Sequence, residues 1–154
     1  MRNSPPCDAL PDERLRLIAT SYRRLTGKDL VVAQDADTLR QALWEAPRAI
    51  VAHGIENDPI FFYGNRLALQ LFEMDFATFV RLPSRCSAEP VEQAARTRLL
   101  ERVTRQGYVD DYCGVRITAS GKRFMIAAAT VWNLRDEAGD YGGQAATFSD
   151  SRKL

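Results

Sequence analysis

The sequence predicts an α+β fold, an antiparallel sheet of five strands with helices on one face and an extra helix at the N-terminus. Three observations carry this. Two short apolar strand candidates lie at 49–52 and 60–63, a block of helical patterns follows, and three long strand candidates close the chain at 108–118, 123–134 and 141–148. Strands grouped around a helical block argue for segregated helices and against a parallel βαβ sheet. The last three strands are joined by the turn segments 119–122 and 136–140, which makes an antiparallel meander.

Residues 1–10 are expected to be a flexible tail, because Ser4-Pro5-Pro6 cannot join a helix interior. Pro11 suits a helix start, and Leu15, Ile18, Ala19, Tyr22 and Leu25 recur at helical spacing up to Gly27. This helix has a basic outer face and reads as a packing helix. A second helix fits from Asp35 or Asp37 to Glu45, with Leu39, Ala42 and Leu43 inward, and Ala46-Pro47 closes it. After the strand at 49–52, Glu56-Asn57-Asp58-Pro59 turns the chain into the strand at 60–63. Asn65 is then placed to cap a helix that carries Leu67, Leu71 and Phe72. Short helical turns follow with Phe76 and Phe79 as inward anchors. Pro90 opens a long helix to Gln106, where Val91, Ala95, Leu99 and Val103 fall four apart, and Gly107 stops it. In the first meander strand Val109, Cys113, Val115 and Ile117 share one side. The middle strand, Phe124 to Trp132, is apolar on both faces, so both faces are expected to be covered. The helical block covers one; the N-terminal helix or a second subunit covers the other. Residues 150–154 are expected to be a polar tail, leaving one domain over 11–149.

Composition narrows the class. Of 154 residues 45% are apolar, 27% are charged, and the net charge is +1. Near-neutrality speaks against a domain whose task is to grip nucleic acid. Cys7, Cys86 and Cys113 are scattered, with no CxxC pair, and no secretory or membrane-spanning run is present. The expectation is reduced thiols in a soluble cytoplasmic protein.

At this point the pattern resembles a known family. The order of elements, with Phe62-Tyr63-Gly64-Asn65-Arg66-Leu67-Ala68-Leu69-Gln70-Leu71-Phe72 running from a strand into a capped helix, resembles a PAS domain, a five-stranded antiparallel sheet cupping short helices. More narrowly, His53-Gly54, Asp58-Pro59, Tyr63-Gly64-Asn65, Leu82-Pro83-Ser84-Arg85, Ser87-Ala88-Glu89-Pro90 and Gly107-Tyr108-Val109-Asp110-Asp111-Tyr112 are similar to the MEKHLA domain, a PAS-related family. So are Gly114-Val115-Arg116-Ile117, Thr130-Val131-Trp132-Asn133-Leu134 and Gln144-Ala145-Ala146-Thr147-Phe148. The match spans about 12–149. The six-letter string behind the family name is absent, as are the homeodomain and leucine zipper of its plant members, so the stand-alone bacterial form is expected. PAS kinship implies a sensory or interaction role, without naming a ligand or a reaction.

The cup of such a fold suggests a ligand site formed by His53, Phe61, Tyr63, Asn65, Phe72, Cys113, Phe124 and Trp132. His53 is the sole histidine and titrates near neutrality, but a ring satisfied by backbone at a strand end is the plainer account. A haem held by His53 would lack a second histidine. A flavin photosensor would need a reactive cysteine amid Asn and Gln; Cys86 lacks those neighbours and reads as an inert thiol. Cys113, alternating with apolar residues, reads as core. Asn65 reads first as a helix cap, and the rings as core aromatics. Asp110 and Asp111 are adjacent on a strand and point apart. Glu56, Asn57 and Asp58 carry oxygen donors, but Pro59 favours a turn. There is no P-loop, no Gly-rich dinucleotide turn and no nucleophile–His–acid set, so no catalytic residue is assigned; the identity of any cofactor is unknown. The favoured reading is a non-catalytic module that binds a small, mainly apolar ligand and signals through a homodimer or a regulatory protein partner. The alternatives are a small enzyme using His53 as acid or base, and a dimerisation module with a filled core.

Overall fold

The computed structural model describes residues 10–88 and 93–154. The expected tail at 1–9, Cys7 and the Pro90 helix start lie outside them. Helix α1 (Asp12–Thr26) follows Pro11 and ends at Gly27, whose φ of 75° lets its amide donate to the Arg23 carbonyl. Asp12 and Glu13 in its first turn and Arg23 and Arg24 in its last complement the helix dipole. Helix α2 (Ala36–Glu45) starts at Asp35, which forms a capping box with Thr38. Then come β1 (Ala49–His53), β2 (Phe61–Gly64), α3 (Arg66–Phe72), α4 (Phe76–Phe79), a 3-10 turn at Ser84–Ser87, and α5 (Gln93–Gln106). Strands β3 (Tyr108–Ile117), β4 (Arg123–Arg135), β5 (Tyr141–Phe148) and β6 (Asp150–Lys153) complete the chain.

All strand pairs are antiparallel, in the order β2-β1-β5-β4-β3. The five expected strands are present, with a sixth in addition. Residues expected as a polar tail form β6, which pairs with β4 from Phe124↔Lys153 to Ala127↔Asp150. The physical reason is register. Thr130↔Thr147 and Ala127↔Asp150 keep one antiparallel register, so β6 is β5 continued past a bend at Ser149. Its side chains are exposed, so no hydrophobic pattern marks it, and its charges suit a sheet edge.

Both faces of the sheet are covered, as the two-sided apolar character of β4 requires. On one face Ile50, Ala52, Trp132, Leu134 and Ala145 pack against Leu15, Ile18 and Tyr22 of α1. Trp132 Nε1 donates to the Ile18 carbonyl (3.2 Å), and its ring meets Tyr22 edge-on at 4.9 Å. Ser21 Oγ donates to the Arg135 carbonyl and accepts from the Arg135 amide. The N-terminal helix, not a second subunit, is therefore the cover. On the other face Ala49, Val51, Phe124, Ile126 and Phe148 pack against Phe72 and Phe79, while Val109 and Val131 pack against Leu99 and Val103 of α5.

Two irregularities set which residues face which way. Strand β3 has one residue more than β4 between Val109↔Val131 and Tyr112↔Ala129; β4 then has one more before Gly114↔Ile126. The β4 excess holds Ala128 at φ 52°, and it keeps Ile126 and Ala129 in one core cluster although they are three apart. The β3 excess turns Cys113 outward. That residue, expected in the core and at the ligand site, is exposed.

Asn65, fully buried, ties this architecture together. Its Oδ1 accepts from Ala68 N (3.1 Å), capping α3, and from Ile50 N (3.0 Å) in β1. Its Nδ2 donates to the carbonyls of Leu43 (3.0 Å) and Arg48 (2.8 Å). Asn65→Ala should destabilise the fold by roughly 3–5 kcal/mol, since it leaves two buried donors and two acceptors unpaired. Asn65→Asp keeps the cap but sets a carboxylate against two carbonyl oxygens, so urea denaturation should show it nearly as damaged; a cap-only role would leave it close to wild type.

A second test concerns close approach. Gly143 lies at φ 123°, and a Cβ there would stand 2.0 Å from the His53 carbonyl oxygen. Gly143→Ala is expected to cost about 3 kcal/mol or more in thermal or chemical denaturation.

Candidate functional site

Strands on the α5 side of the sheet do not close fully against the helices. A cavity of about 70 Å³ remains between the strands β1 to β5 below and α3, the 3-10 turn and α5 above. That is room for several waters or a short organic chain. Apolar side chains form most of its wall, among them Val51, Phe61, Phe72, Leu99, Ile126 and Phe148. His53, Ser84, Ser87, Arg96, Tyr112, Arg116 and Gln144 supply the polar part.

Local structure explains each position. An extra residue in β2, between Ala52↔Tyr63 and His53↔Phe61, puts Phe61 on the cavity face although Tyr63 lies on the other, while His53 follows Val51 by plain alternation along β1. Segment 82–84 lies along the free edge of β2, with Phe61 N donating to the Leu82 carbonyl and Ser84 N to the Pro59 carbonyl. This carries the 3-10 turn over the cavity, where Ser87 Oγ donates to the Ser84 carbonyl (2.7 Å) and Arg96 Nη2 to Ser84 Oγ (2.5 Å). On α5, Arg96 shares a stripe with Leu99, Leu100 and Val103. On β3 the extra residue that turns Cys113 out turns Tyr112 and Arg116 toward the cavity, with the Arg116 guanidinium 5.3 Å from the Tyr112 ring centre. Gln144 Nε2 donates to Asn133 Oδ1 (2.9 Å), whose own Nδ2 donates to the Val103 carbonyl (3.1 Å). This chain fixes Gln144 with its Oε1 unpartnered.

Of the residues the sequence proposes for a ligand site, His53, Phe61 and Phe72 line this cavity. The rest do not. Trp132 lies beneath α1 on the opposite face, because Val131 and Asn133 take the α5 face and a strand alternates. Tyr63 is on that opposite side too, facing Phe76 edge-on. Asn65 is spent on backbone, and Phe124 stacks edge-on against Phe72 (5.3 Å) within the core. Cys113 is exposed, and Cys86 is exposed on the 3-10 turn. The carboxylates of the 56–59 turn are used within the fold: Glu56 accepts from Ile60 N, and Asp58 pairs with Arg85.

Sequence reasoning missed Arg96, Arg116, Tyr112 and Gln144. Arg96 and Gln144 did leave a signal: a charge on an apolar helical stripe, and an amide within a buried run of small residues.

The His53 ring is held as the plainer account expects, with Nδ1 3.1 Å from the Gly54 carbonyl oxygen. A carbonyl only accepts, so Nδ1 carries the proton in the neutral ring. Burial is the main cause that draws His53 below the usual 6.5, and the Arg96 charge adds to it; Gly54, Glu56 and Gln144 pull the other way. For Arg96, burial and then the Arg116 charge lower its affinity for a proton.

Among the described residues no helix is long and apolar enough to cross a membrane. A family model described as MEKHLA domain matches residues 12–152. Homeobox-leucine zipper protein ATHB-9 of Arabidopsis thaliana is 27% identical over 132 residues, covering 80% of this chain and 15% of that protein. Homeobox-leucine zipper protein HOX29 of Oryza sativa subsp. indica is 27% identical over 147 residues, covering 91% of this chain and 16% of that protein. The chain thus spans about a sixth of the length of these curated relatives. Among solved structures, a PAS domain from Colwellia psychrerythraea superposes with a TM-score of 0.61 at 15% identity, covering 74% of this chain and 92% of that one. The light-state dimer of the fungal blue-light photoreceptor Vivid gives 0.58 at 12% identity, with 84% and 89% covered. A light-oxygen-voltage domain gives 0.57 at 18% identity, with 75% and 84% covered. At these identities the likeness is one of fold, and the fold is that of PAS and light-oxygen-voltage domains.

The buried imidazole makes a pH prediction. Because its folded pKa is depressed, the unfolded chain binds the extra proton first as pH falls through 6.5. Stability from this group is complete above that value and is lost between it and the lower folded value. Urea titrations at about pH 8 and about pH 5 should show wild type losing more stability than His53→Gln. Equal losses would mean that the ring is not desolvated in the fold.

Proposed function

The chain belongs to the MEKHLA domain family, and from that premise we propose that it is a non-catalytic sensory or regulatory module. In this reading it holds a small, mainly apolar ligand between sheet and helices and passes its state on through protein–protein contacts, first of all in a homodimer. The observation that carries the reading is the cavity. Its walls come from five strands, α3, the 3-10 turn and α5, so an occupant touches both layers at once. A ligand that favours one arrangement of α5 against the sheet would shift the population of that arrangement, which is all a sensor needs. The PAS fold supports the assignment, and the Vivid structure is a dimer of that fold. A cytoplasmic setting belongs to the same reading and draws support from the free, exposed Cys86 and Cys113.

Native mass spectrometry of chain purified without added ligand is the test. A small molecule retained on the folded chain and lost on denaturation is the expected result. Ala146→Phe, which fills the cavity from β5, should remove that mass without dissociating the dimer. A dimer that carries no extra mass and takes up no small apolar compound on soaking would leave a dimerisation module with a filled core.

A further inference from the structure

The apolar reading leaves the charge in the cavity unused. Arg96 and Arg116 enter from α5 and β3, and no carboxylate among the described residues forms an ion pair with either. Asp58 is engaged by Arg85 at 3.0 Å. Arg96 has only the neutral Ser84 hydroxyl for a hydrogen bond, and Arg116 has the face of Tyr112. Arg116 Nη1 is buried with no hydrogen-bond partner at all. The second unpartnered atom on this wall is Gln144 Oε1, on a side chain only 4% exposed.

A half-buried guanidinium without an ion-pair partner is costly, and two facing one space repel each other besides. Water relieves this in part; a monoanion relieves both terms at once. We propose that the cup binds a small organic monocarboxylate, with its carboxylate between Arg96 and Arg116 and its apolar body against Phe61, Phe72 and Phe148. The inference rests on the ligand-binding reading above and names the chemical class of the ligand. A planar carboxylate matches the forked donors of a guanidinium. A phosphate ester carries nearly twice the charge and three acceptor oxygens, and the remaining wall is too apolar to serve them. Ser87 Oγ already gives its proton to the Ser84 carbonyl. Gln144 Oε1 can only accept; the His53 ring lies near it without a full hydrogen bond, so a hydroxyl or amide donor on the same ligand, or a water, can complete it.

Isothermal titration of the full chain with butyrate, hexanoate and benzoate, each against its primary amide, tests the proposal. The carboxylates are expected to bind at least about tenfold more tightly than the amides of equal shape, the scale of a buried charged hydrogen bond. Arg116→Gln and Arg96→Gln should each erase that preference, and Arg116→Lys, which keeps the charge without the fork, should restore part of it. Should Arg116→Gln not fold, the lysine variant and Arg96→Gln still decide. Equal binding of acid and amide would overturn the carboxylate assignment and leave the apolar pocket standing. Tighter binding of butyl phosphate, or wild-type affinity in both glutamine variants, would overturn it as well. Failure of every acid and every amide to bind would remove the pocket reading itself.

Discussion

The four hydrogen bonds of the Asn65 side chain are the constraint from which the rest of this structure follows. They join the end of α2, the start of β1 and the first turn of α3 at one buried point. Asn65 N also donates to the Ile50 carbonyl, so the β1–β2 ladder ends on the same residue. No apolar side chain could satisfy two donors and two carbonyls at once, and a carboxylate could not donate. With α3 fixed over β1 in this way, Phe72 is aimed at Phe124 and Phe79, and the helical layer is held at a set height above the sheet. That height is what leaves a cavity.

The phase of the strands decides what lines it. Each bulge shifts the facing of a strand, and this sheet uses one in β2, one in β3, one in β4 and one near the start of β5. The first three bring Phe61, Tyr112 and Arg116 to the cavity face and keep Ile126 and Val131 beside them. They also send Cys113 outside. The same alternation commits Trp132 to α1, where its indole N–H finds a carbonyl and its ring finds Tyr22. Each strand's two faces thus have separate tasks. One anchors the N-terminal helix, and the other builds the cup.

This division explains what was legible in the sequence. Elements bounded by strong punctuation could be read: Pro11 to Gly27, Asp35 to Glu45, the Asn65 cap, the turns of the meander. The apolar character of β4 on both faces correctly required cover on both sides, which α1 and the α5 side provide. Side-chain direction within the strands was not legible where a bulge intervened. Nothing in Val109-Asp110-Asp111-Tyr112-Cys113 announces an extra residue, since bulges answer to twist and to the partner strand. Ala128 is the clearest case: an alanine at positive φ gives no compositional hint of its conformation. β6 was invisible for the opposite reason. It is held by backbone ladder alone, with every side chain exposed, and pattern reading detects only burial.

A fold built only for stability would have little use for the polar side of this cavity. Replacing a buried ion by an apolar side chain of similar volume is often neutral or stabilising. Here the case is sharper, because the Arg116 charge adds to the cost of a charged Arg96 and neither has an ion-paired acid among the described residues. Gln144 adds an unpartnered acceptor to the same wall, although its amide is locked by a hydrogen-bond chain through Asn133 to the Val103 carbonyl. Three polar side chains from α5, β3 and β5 thus meet on one space, and none is fully satisfied there. Under the carboxylate proposal, their interactions close when the ligand occupies the cup. That dependence couples occupancy to the contact between α5 and the sheet, since Arg96 moves with the helix and Arg116 with the strand. A ligand bridging the two adds an attraction across the layers where the empty protein has a repulsion, and that reversal of sign can bias a helix position without any rearrangement of the core.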